Sequence, residues 1–231
     1  MRSYTVLSSS VKKLLRPLIV VGHKERQMKS VLLLPLMIFA YGCASQIPAL
    51  DSALVNKAPC CASLREITYS NVSGGSSVDY DIDERSPTYD FVEGRSYFVA
   101  VALPSDTRKL RITTHLVGGW IPTAQVFWPV LLFLNQNHEP TRTMKQVEMD
   151  RSMSWQPLRG GPIWSADIKV EPGEQFLVIY TLQAYVGRKI AAAGPSQGFV
   201  FSGGAGPTYV PGSSTKYSTV GPGGYISINV H

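Results

Sequence analysis

The sequence predicts a mainly β protein whose single folded domain is an antiparallel β-sandwich or jelly roll, preceded by a leader. Two observations predict this class. Apolar and polar residues alternate with a period of two along several segments, and turns rich in Pro and Gly separate those segments. Helical periodicity is scarce, and such a series of strands and short turns is typical of sandwiches and jelly rolls.

The predicted strands differ in how many of their faces are apolar. Residues 97–103 carry apolar side chains on both faces, which predicts a strand buried on both sides. In residues 110–116, a polar set alternates with the apolar residues and predicts a half-exposed strand. That polar set is Arg111, Thr113 and His115. A continuous apolar run at 130–134 predicts a central strand, and residues 226–230 predict a terminal one.

The second half of the chain carries three further predictions. Residues 164–170 and 176–180 read as the two arms of a hairpin around the turn Glu171-Pro172-Gly173. The best candidate for a helix is Leu182 to Ala193. The Gly/Pro/Ser-rich stretch 194–224 predicts a long mobile loop.

The charge of the chain is concentrated near its beginning. The whole sequence has 22 Lys and Arg against 16 Asp and Glu, but residues 43–231 contain equal numbers, 15 of each. The excess of positive charge therefore belongs to residues 1–42. A near-neutral remainder gives no electrostatic reason to expect nucleic-acid binding.

Residues 1–42 read as a leader with a signal peptide that starts at Met28, the preferred true start of the protein. The apolar run from Val31 to Tyr41 has eleven residues, well short of the roughly 20 that span a bilayer. A buried helix or a short membrane anchor is the alternative. The Gly42-Cys43 junction favours a lipoprotein site, with Cys43 lipid-modified, 43–59 a tether and 60–231 the domain. We therefore expect a periplasmic lipoprotein anchored to the outer membrane of a Gram-negative cell.

The remaining cysteines, Cys60 and Cys61, are adjacent. They are compatible with buried small apolar side chains, with a vicinal disulfide, or with an intermolecular bond. No His or Cys lies near them in sequence to complete a metal site, so neither a metal nor another cofactor is expected.

Two motifs that resemble active or metal sites fail on their context. Gly194-Pro195-Ser196-Gln197-Gly198 matches a nucleophile elbow, but no Asp or Glu follows Glu174 and the only later His is His231. Four acidic residues have the spacing of a calcium loop, but Glu84 occupies the position that requires Gly. They are Asp79, Asp81, Asp83 and Asp90. A strand whose acidic side chains face the solvent is the preferred alternative to a calcium loop. Because both motifs fail, we expect no catalysis.

Several segments resemble, in order and spacing, those of the maltose-operon periplasmic protein family. The segments are CCASL at 60–64, SPTYDFVEGRSYF at 86–98, Leu103-Pro104, VFWP at 126–129 with the leucines after it, Pro140-Thr141-Arg142, LVIYT at 177–181, and the closing strand 224–230. The resemblance implies a periplasmic or outer-membrane-associated protein linked to the uptake of maltose or maltodextrin. It supplies no catalytic or binding residues.

Two functions compete on this evidence. One is an accessory or binding module for carbohydrate uptake, in which Trp120, Trp128 and Trp155 stack on sugar rings. For Trp164, a place in the core is the better prediction. The other function is a structural envelope lipoprotein that binds a protein partner and has no role with sugar. The expected partners are thus maltodextrin or a protein of the uptake system, and the membrane through the lipid.

Overall fold

The computed structural model describes residues 47–118, 123–154, 161–193, 198–202, 205–210 and 215–231. Cys43 to His231 forms one compact unit. The described residues include one α-helix, α1 (Ile47–Asn56), and sixteen β-strands. Within these ranges, no helix has both the length and the apolar character needed to cross a membrane.

The first sheet contains six strands in the order β1-β4-β11-β7-β8, with β3 also paired to β4. Its strands are β1 (Ser70–Asn71), β3 (Thr88–Phe91), β4 (Gly94–Ala102), β7 (Val130–Leu134), β8 (Pro140–Met144) and β11 (Phe176–Tyr180). The strands β4, β7 and β11 are buried along almost their whole length, because both faces of this sheet are covered. Burial on both sides was predicted for β4, and the central position of β7 is confirmed.

The second sheet contains eight strands. They are β2 (Ser77–Ile82), β5 (Lys109–Val117), β6 (Gln125–Phe127), β9 (Asp150–Ser154), β10 (Gly161–Lys169), β12 (Lys189–Ala193), β15 (Lys216–Gly221) and β16 (Gly224–Val230). Their order is β12-β15-β6-β5-β10-β9, and β16 lies between β5 and β2. The β6–β15 pair is parallel, whereas the other pairs in this sheet are antiparallel. A separate hairpin joins β13 (Gly198–Ser202) to β14 (Ala205–Val210).

The main core combines inward side chains of the two sheets, as the sandwich prediction requires. Leu131, Leu177 and Ile179 of the first sheet belong to the same buried cluster as Ile112 and Ile226 of the second. A second cluster covers the opposite face of the first sheet and is called the outer cluster here. Its buried members are Ile67, Phe91, Phe98, Ala100, Val130, Leu132, Leu134, Val178, Tyr180 and Leu182.

The predicted hairpin between residues 164–170 and 176–180 is wrong. Strand β10 pairs with β5 and β9 in the second sheet, whereas β11 pairs with β4 and β7 in the first. The turn after β10 therefore carries the chain from one sheet to the other. Gly173, at φ 92°, supplies the left-handed conformation that this turn uses.

A buried ion pair holds this crossing turn. The Glu174 carboxylate accepts hydrogen bonds from Arg142 Nε and Nη2, both at 2.9 Å, and from the Glu171 backbone N–H at 2.8 Å. Only 2% of the Glu174 side chain is exposed, against 30% for Arg142. The Arg142 guanidinium also lies over the Phe133 ring and donates to the Lys169 carbonyl. The turn is thereby fixed to β8, at the edge of the first sheet.

Two predictions for the last third of the chain are wrong. Leu182–Ala193 is not a helix: it contains a single 3-10 turn, Gln183–Tyr185, followed by strand β12. The predicted loop 194–224 contains three strands and the start of β16. A Cβ atom added at Gly224 would lie 2.7 Å from the Phe127 Cβ. Glycine is needed there for close approach of the backbone, not for mobility.

Two smaller predictions are also corrected. Part of the predicted tether is the helix α1, whose Leu54 is buried in the main core and whose Leu50 carbonyl is near Tyr97 Oη. On β5, Thr113 and His115 are buried instead of half-exposed, because each side chain has a hydrogen-bonding partner on a neighbouring strand. Thr113 Oγ1 is bonded to Ser165 Oγ and His115 Nε2 to Ser227 Oγ, both at 3.0 Å. The arrangement predicted for β2 is correct, with Asp79 and Asp81 exposed and Ile82 buried.

Candidate functional site

Trp128 lines a concave pocket of about 280 Å³ at the end of β6. The pocket is formed by residues from four separate parts of the chain. They are Trp128, Gln146, Tyr185, Arg188, Lys189, Ile190 and Val220. We call it the Trp128 pocket. Two aromatic rings share it with an amide and two cations, which is the composition of a site for a polar ligand that has apolar faces.

The side chains around the Trp128 pocket are fixed by packing on one side and accessible to solvent on the other. Trp128, Tyr185 and Ile190 are half-buried and pack against the cluster formed by Val126, Trp164, Ala192 and Val220. Tyr185 Oη donates to the Lys145 carbonyl at 3.0 Å, and the Arg188 guanidinium lies 5.0 Å from the Tyr185 ring centroid. The 3-10 turn that carries Tyr185 therefore presents its ring in one orientation, while Gln146 and Arg188 remain exposed.

A second pocket of about 270 Å³ lies on the outer face of the first sheet. Its walls come from β3 and the turn after it, from β7, β8 and β11, and from Leu64. The residues are Leu64, Tyr89, Asp90, Phe91, Val92, Glu93, Leu132, Pro140, Thr143 and Tyr180. We call it the Tyr89 pocket. Phe91 and Tyr180 stack with their ring centroids 3.8 Å apart, and Val92 beside them is fully exposed.

Three polar groups define the electrostatics at one end of the Tyr89 pocket. Tyr180 Oη donates to the Glu93 carboxylate at 3.2 Å, and Lys145 Nζ lies 2.7 Å from the other Glu93 oxygen. The hydrogen bond from Lys145 lowers the pKa of Glu93. Burial, followed by the negative charge of Glu93, raises the pKa of Tyr180. At neutral pH, Glu93 is thus a carboxylate and Tyr180 a neutral hydroxyl that donates to it.

Lys145 connects the two pockets. Its ammonium group binds Glu93 at the Tyr89 pocket, and its carbonyl accepts from Tyr185 at the Trp128 pocket. The next residue, Gln146, lines the Trp128 pocket, and Thr143 lines the Tyr89 pocket. The end of β8 therefore forms a common border.

The segment before β1 covers the outer cluster beside the Tyr89 pocket. The Sγ atoms of Cys60 and Cys61 are at bonding contact there. Cys60 is exposed, and Cys61 is half-buried against the outer cluster. The Cys60 backbone N–H donates to the Thr88 carbonyl at 2.8 Å, and Thr88 Oγ1 donates to the Ala58 carbonyl at 2.8 Å. The cysteine pair is thus attached to the first residue of β3.

A third cavity, on the second sheet, is polar and is occupied by its own ion pairs. It is lined by Arg111, Asp150, Ser152, Ser165 and Asp167. Asp167 accepts from Arg111 at 2.7 and 2.8 Å, and Lys109 Nζ lies 2.9 Å away. The hydrogen bonds from Arg111 and Lys109 hold the pKa of Asp167 well below its usual range. These charges satisfy one another, so this cavity is a weaker candidate for a ligand site.

The predicted stacking residues fall in different places. Trp128 lies in a pocket, and Trp164 is in the core at 4% exposure, as predicted for it. Trp120 and Trp155 lie outside the described residues, as do Cys43 and Ser196. Asp83 and Asp90, from the calcium-like spacing, bind Arg85 and Arg95. In the described part of the chain, no three His, Cys, Asp or Glu side chains are grouped to hold a metal ion.

Sequence patterns did not indicate Tyr89, Tyr185, Arg188 or Gln146 as site residues. The aromatic-rich run at 89–91 was a signal for the Tyr89 pocket, because three successive residues there include two rings beside an acid. The Trp128 pocket left no comparable signal, since its residues are separated by up to about ninety positions.

Comparison with known protein families gives a match. The family model described as "Maltose operon periplasmic protein precursor (MalM)" matches residues 93–223, which is more than half of the chain. No curated protein and no solved structure matches it significantly. The match includes every residue that lines the Trp128 pocket and half of those that line the Tyr89 pocket. This chain therefore belongs to the maltose operon periplasmic protein family, a family of periplasmic proteins.

Proposed function

We propose that this protein is a non-catalytic accessory protein of maltodextrin uptake, and that it binds linear α-glucans in the Trp128 pocket. The observation that carries the proposal is the pairing of the Trp128 and Tyr185 rings in a concave site with Gln146 and Arg188. Sugar rings have apolar faces that stack on aromatic side chains, and hydroxyl groups that need hydrogen-bonding partners. Membership of the maltose operon periplasmic protein family supports maltodextrin as the class of sugar.

The expected affinity is low. Stacking gains only about 1 kcal/mol per aromatic contact beyond the burial of area. With two rings, binding lies nearer millimolar, about 4 kcal/mol, than nanomolar. Weak binding suits an accessory protein that passes its ligand on. We further propose that a lipid on Cys43 anchors the protein to the outer membrane. The residue after the cysteine is Ala44 and not Asp, which favours sorting to the outer membrane.

Calorimetry of the full chain with maltoheptaose tests this proposal. The protein is kept in a detergent without a sugar headgroup, at concentrations that detect millimolar binding. We expect Trp128→Ala and Arg188→Ala to weaken binding at least several-fold. Tyr217→Ala is the matched control, because Tyr217 is a half-exposed aromatic outside both pockets and its loss leaves the affinity unchanged. Equal weakening by all three variants, or no binding heat at all, contradicts the proposal.

A protein partner without a sugar role is the second candidate. The fully exposed Val92 beside the apolar Tyr89 pocket favours it, because exposed apolar residues at the rim of a pocket are typical of protein interfaces. If maltoheptaose gives no heat and one envelope protein is recovered with the wild type but not with Val92→Ser, this candidate replaces the first.

A further inference from the structure

We propose that Cys60 and Cys61 form a redox-active disulfide that accepts electrons from dithiols, and that its reduction loosens the wall of the Tyr89 pocket. The pair combines three properties on which this inference rests. Its sulfur atoms are at bonding contact, Cys60 is exposed to solvent, and the segment that carries it is attached to β3. The proposal does not depend on which ligand the protein binds.

A bond between adjacent cysteines contributes little to the stability of the fold. A disulfide stabilises mainly by closing a loop in the unfolded chain, and this effect increases with the length of the loop. Here the chain itself already joins the two residues, at a separation of one. Removing the bond therefore changes the unfolded ensemble very little. A role as a structural cross-link does not account for the pair.

The same adjacency makes the bond easy to reduce. The peptide bond fixes the two Cα atoms 3.8 Å apart, closer than the roughly 4.4 Å at which the usual range for disulfides begins. Disulfides with unfavourable geometry or with exposed sulfur atoms are the labile, regulatory or catalytic ones, whereas buried and relaxed ones resist reduction. Cys60 satisfies the condition of exposure.

The exchange proceeds in two steps. A thiolate of a protein dithiol attacks Cys60 Sγ, the bond between Cys60 and Cys61 breaks, and the electron pair leaves with Cys61 Sγ, which takes a proton. The second thiolate of the donor then attacks the donor's sulfur atom in the mixed disulfide. This releases the Cys60 thiolate, which takes a proton. Two electrons and two protons pass to the cysteine pair, and the donor becomes a disulfide. Attack at Cys60 is favoured because Cys61 is half-buried.

The effect on the pocket follows from the contacts of the segment. Thr88, which is fully buried, holds Ala58 and Cys60 by two hydrogen bonds, and the next residue is Tyr89 of the pocket. On the other side of the pair, Leu64 forms part of the pocket wall. The closed ring fixes the direction of the chain between these two points. Once the ring opens, the two side chains are no longer joined, and Leu64 loses the constraint of the ring while it keeps the hydrogen bond from Tyr69 Oη to its carbonyl at 2.8 Å.

Mass spectrometry of the full chain tests the redox part. Trypsin cleavage at Lys57 and Arg65 yields the peptide 58–65, which contains both cysteines and separates them from Cys43. After incubation in glutathione buffers of varied ratio, free thiols are alkylated before digestion. We expect an internal disulfide in oxidising buffer and two alkyl groups in millimolar reduced glutathione. Free thiols in oxidising buffer overturn the proposal, and so does a bond that stays closed in millimolar reduced glutathione.

Hydrogen exchange tests the effect on the pocket. On reduction, the amides of 58–64 and 88–93 should exchange at least several-fold faster, while those of β7 stay unchanged. The double variant Cys60→Ser/Cys61→Ser should show the fast exchange in both buffers. Identical exchange of the wild type in both buffers overturns the link to the pocket. The wild-type titration alone decides the proposal should the double variant fail to fold.

Discussion

Glu174 provides the sharpest test of the sandwich topology, because it holds the turn that crosses between the two sheets. In the Glu174→Ala variant, two Arg142 donors at 2.9 Å and the Glu171 N–H at 2.8 Å lose their acceptor. Removing one partner of a buried ion pair typically costs about 3–5 kcal/mol. Arg142 keeps the Lys169 carbonyl and is 30% exposed to water, so we expect a loss near 3 kcal/mol. Glu174→Gln, which keeps an acceptor, should lose about half of that.

Urea unfolding measures this loss, provided that the slope of the free energy of unfolding against urea concentration is the same in the variant and the wild type. Asp167→Ala is the matched control, because Asp167 has the same two-bond geometry with Arg111 on an exposed face. Solvent screens such exposed pairs, and their contribution to stability is small. The reasoning is refuted if Glu174→Ala and Asp167→Ala reduce the free energy of unfolding equally.

Three further predictions concern Asp167, Trp164 and Cys43. The hydrogen bonds from Arg111 and Lys109 lower the pKa of Asp167 in the folded protein. Their contribution to stability is therefore complete above the ordinary pKa of 3.8 and is lost as the pH falls through the lower pKa of the folded state. The stability difference between the wild type and Asp167→Asn should accordingly be constant above about pH 5 and shrink below pH 4 in acid titrations followed by unfolding. Trp164→Ala should cost roughly 3–5 kcal/mol in urea unfolding, because the ring is buried against Val126; a loss below 1 kcal/mol would contradict its place in the core. Labelled palmitate should be incorporated by the wild type in a Gram-negative host and not by Cys43→Ser, and labelling that survives the substitution would exclude the lipid anchor.

The alternation of apolar residues predicted most of the strands, because it reports burial, and burial is what the two sheets have in common. It did not predict which sheet a strand joins. The turn at Glu171-Pro172-Gly173 has the same local chemistry whether it closes a hairpin or crosses between sheets. The choice is made by the pairing of β11 with β4 and β7, which are distant in sequence.

The mobile loop predicted from the Gly-rich composition of residues 194–224 is wrong for a physical reason. Glycine is common both where a chain is mobile and where two backbones must come close together. Gly224 belongs to the second kind, since Phe127 occupies the space that its side chain would need. His115 shows a similar limit: its polarity predicts exposure, but its bond to Ser227 makes burial acceptable.

The candidate site was only partly predictable. Trp128 was predicted, together with Trp120 and Trp155, to stack on sugar, because a Trp ring offers a flat apolar surface to the apolar face of a sugar ring. Its partners were not, because Tyr185 and Arg188 reach the pocket from a segment that was predicted to be helical. The position of a side chain in a pocket depends on the packing of several elements, and local sequence patterns report only one element at a time.

The most direct test of the central claim is the response of the tryptophan indole N–H signals to maltoheptaose in an NMR titration. The Trp128 signal is identified by its loss in Trp128→Phe. The account predicts that this signal shifts progressively and saturates at millimolar sugar, while the signal of the buried Trp164 stays in place. A titration in which the Trp128 signal does not move, or in which only Trp120 or Trp155 responds, would contradict binding in the Trp128 pocket.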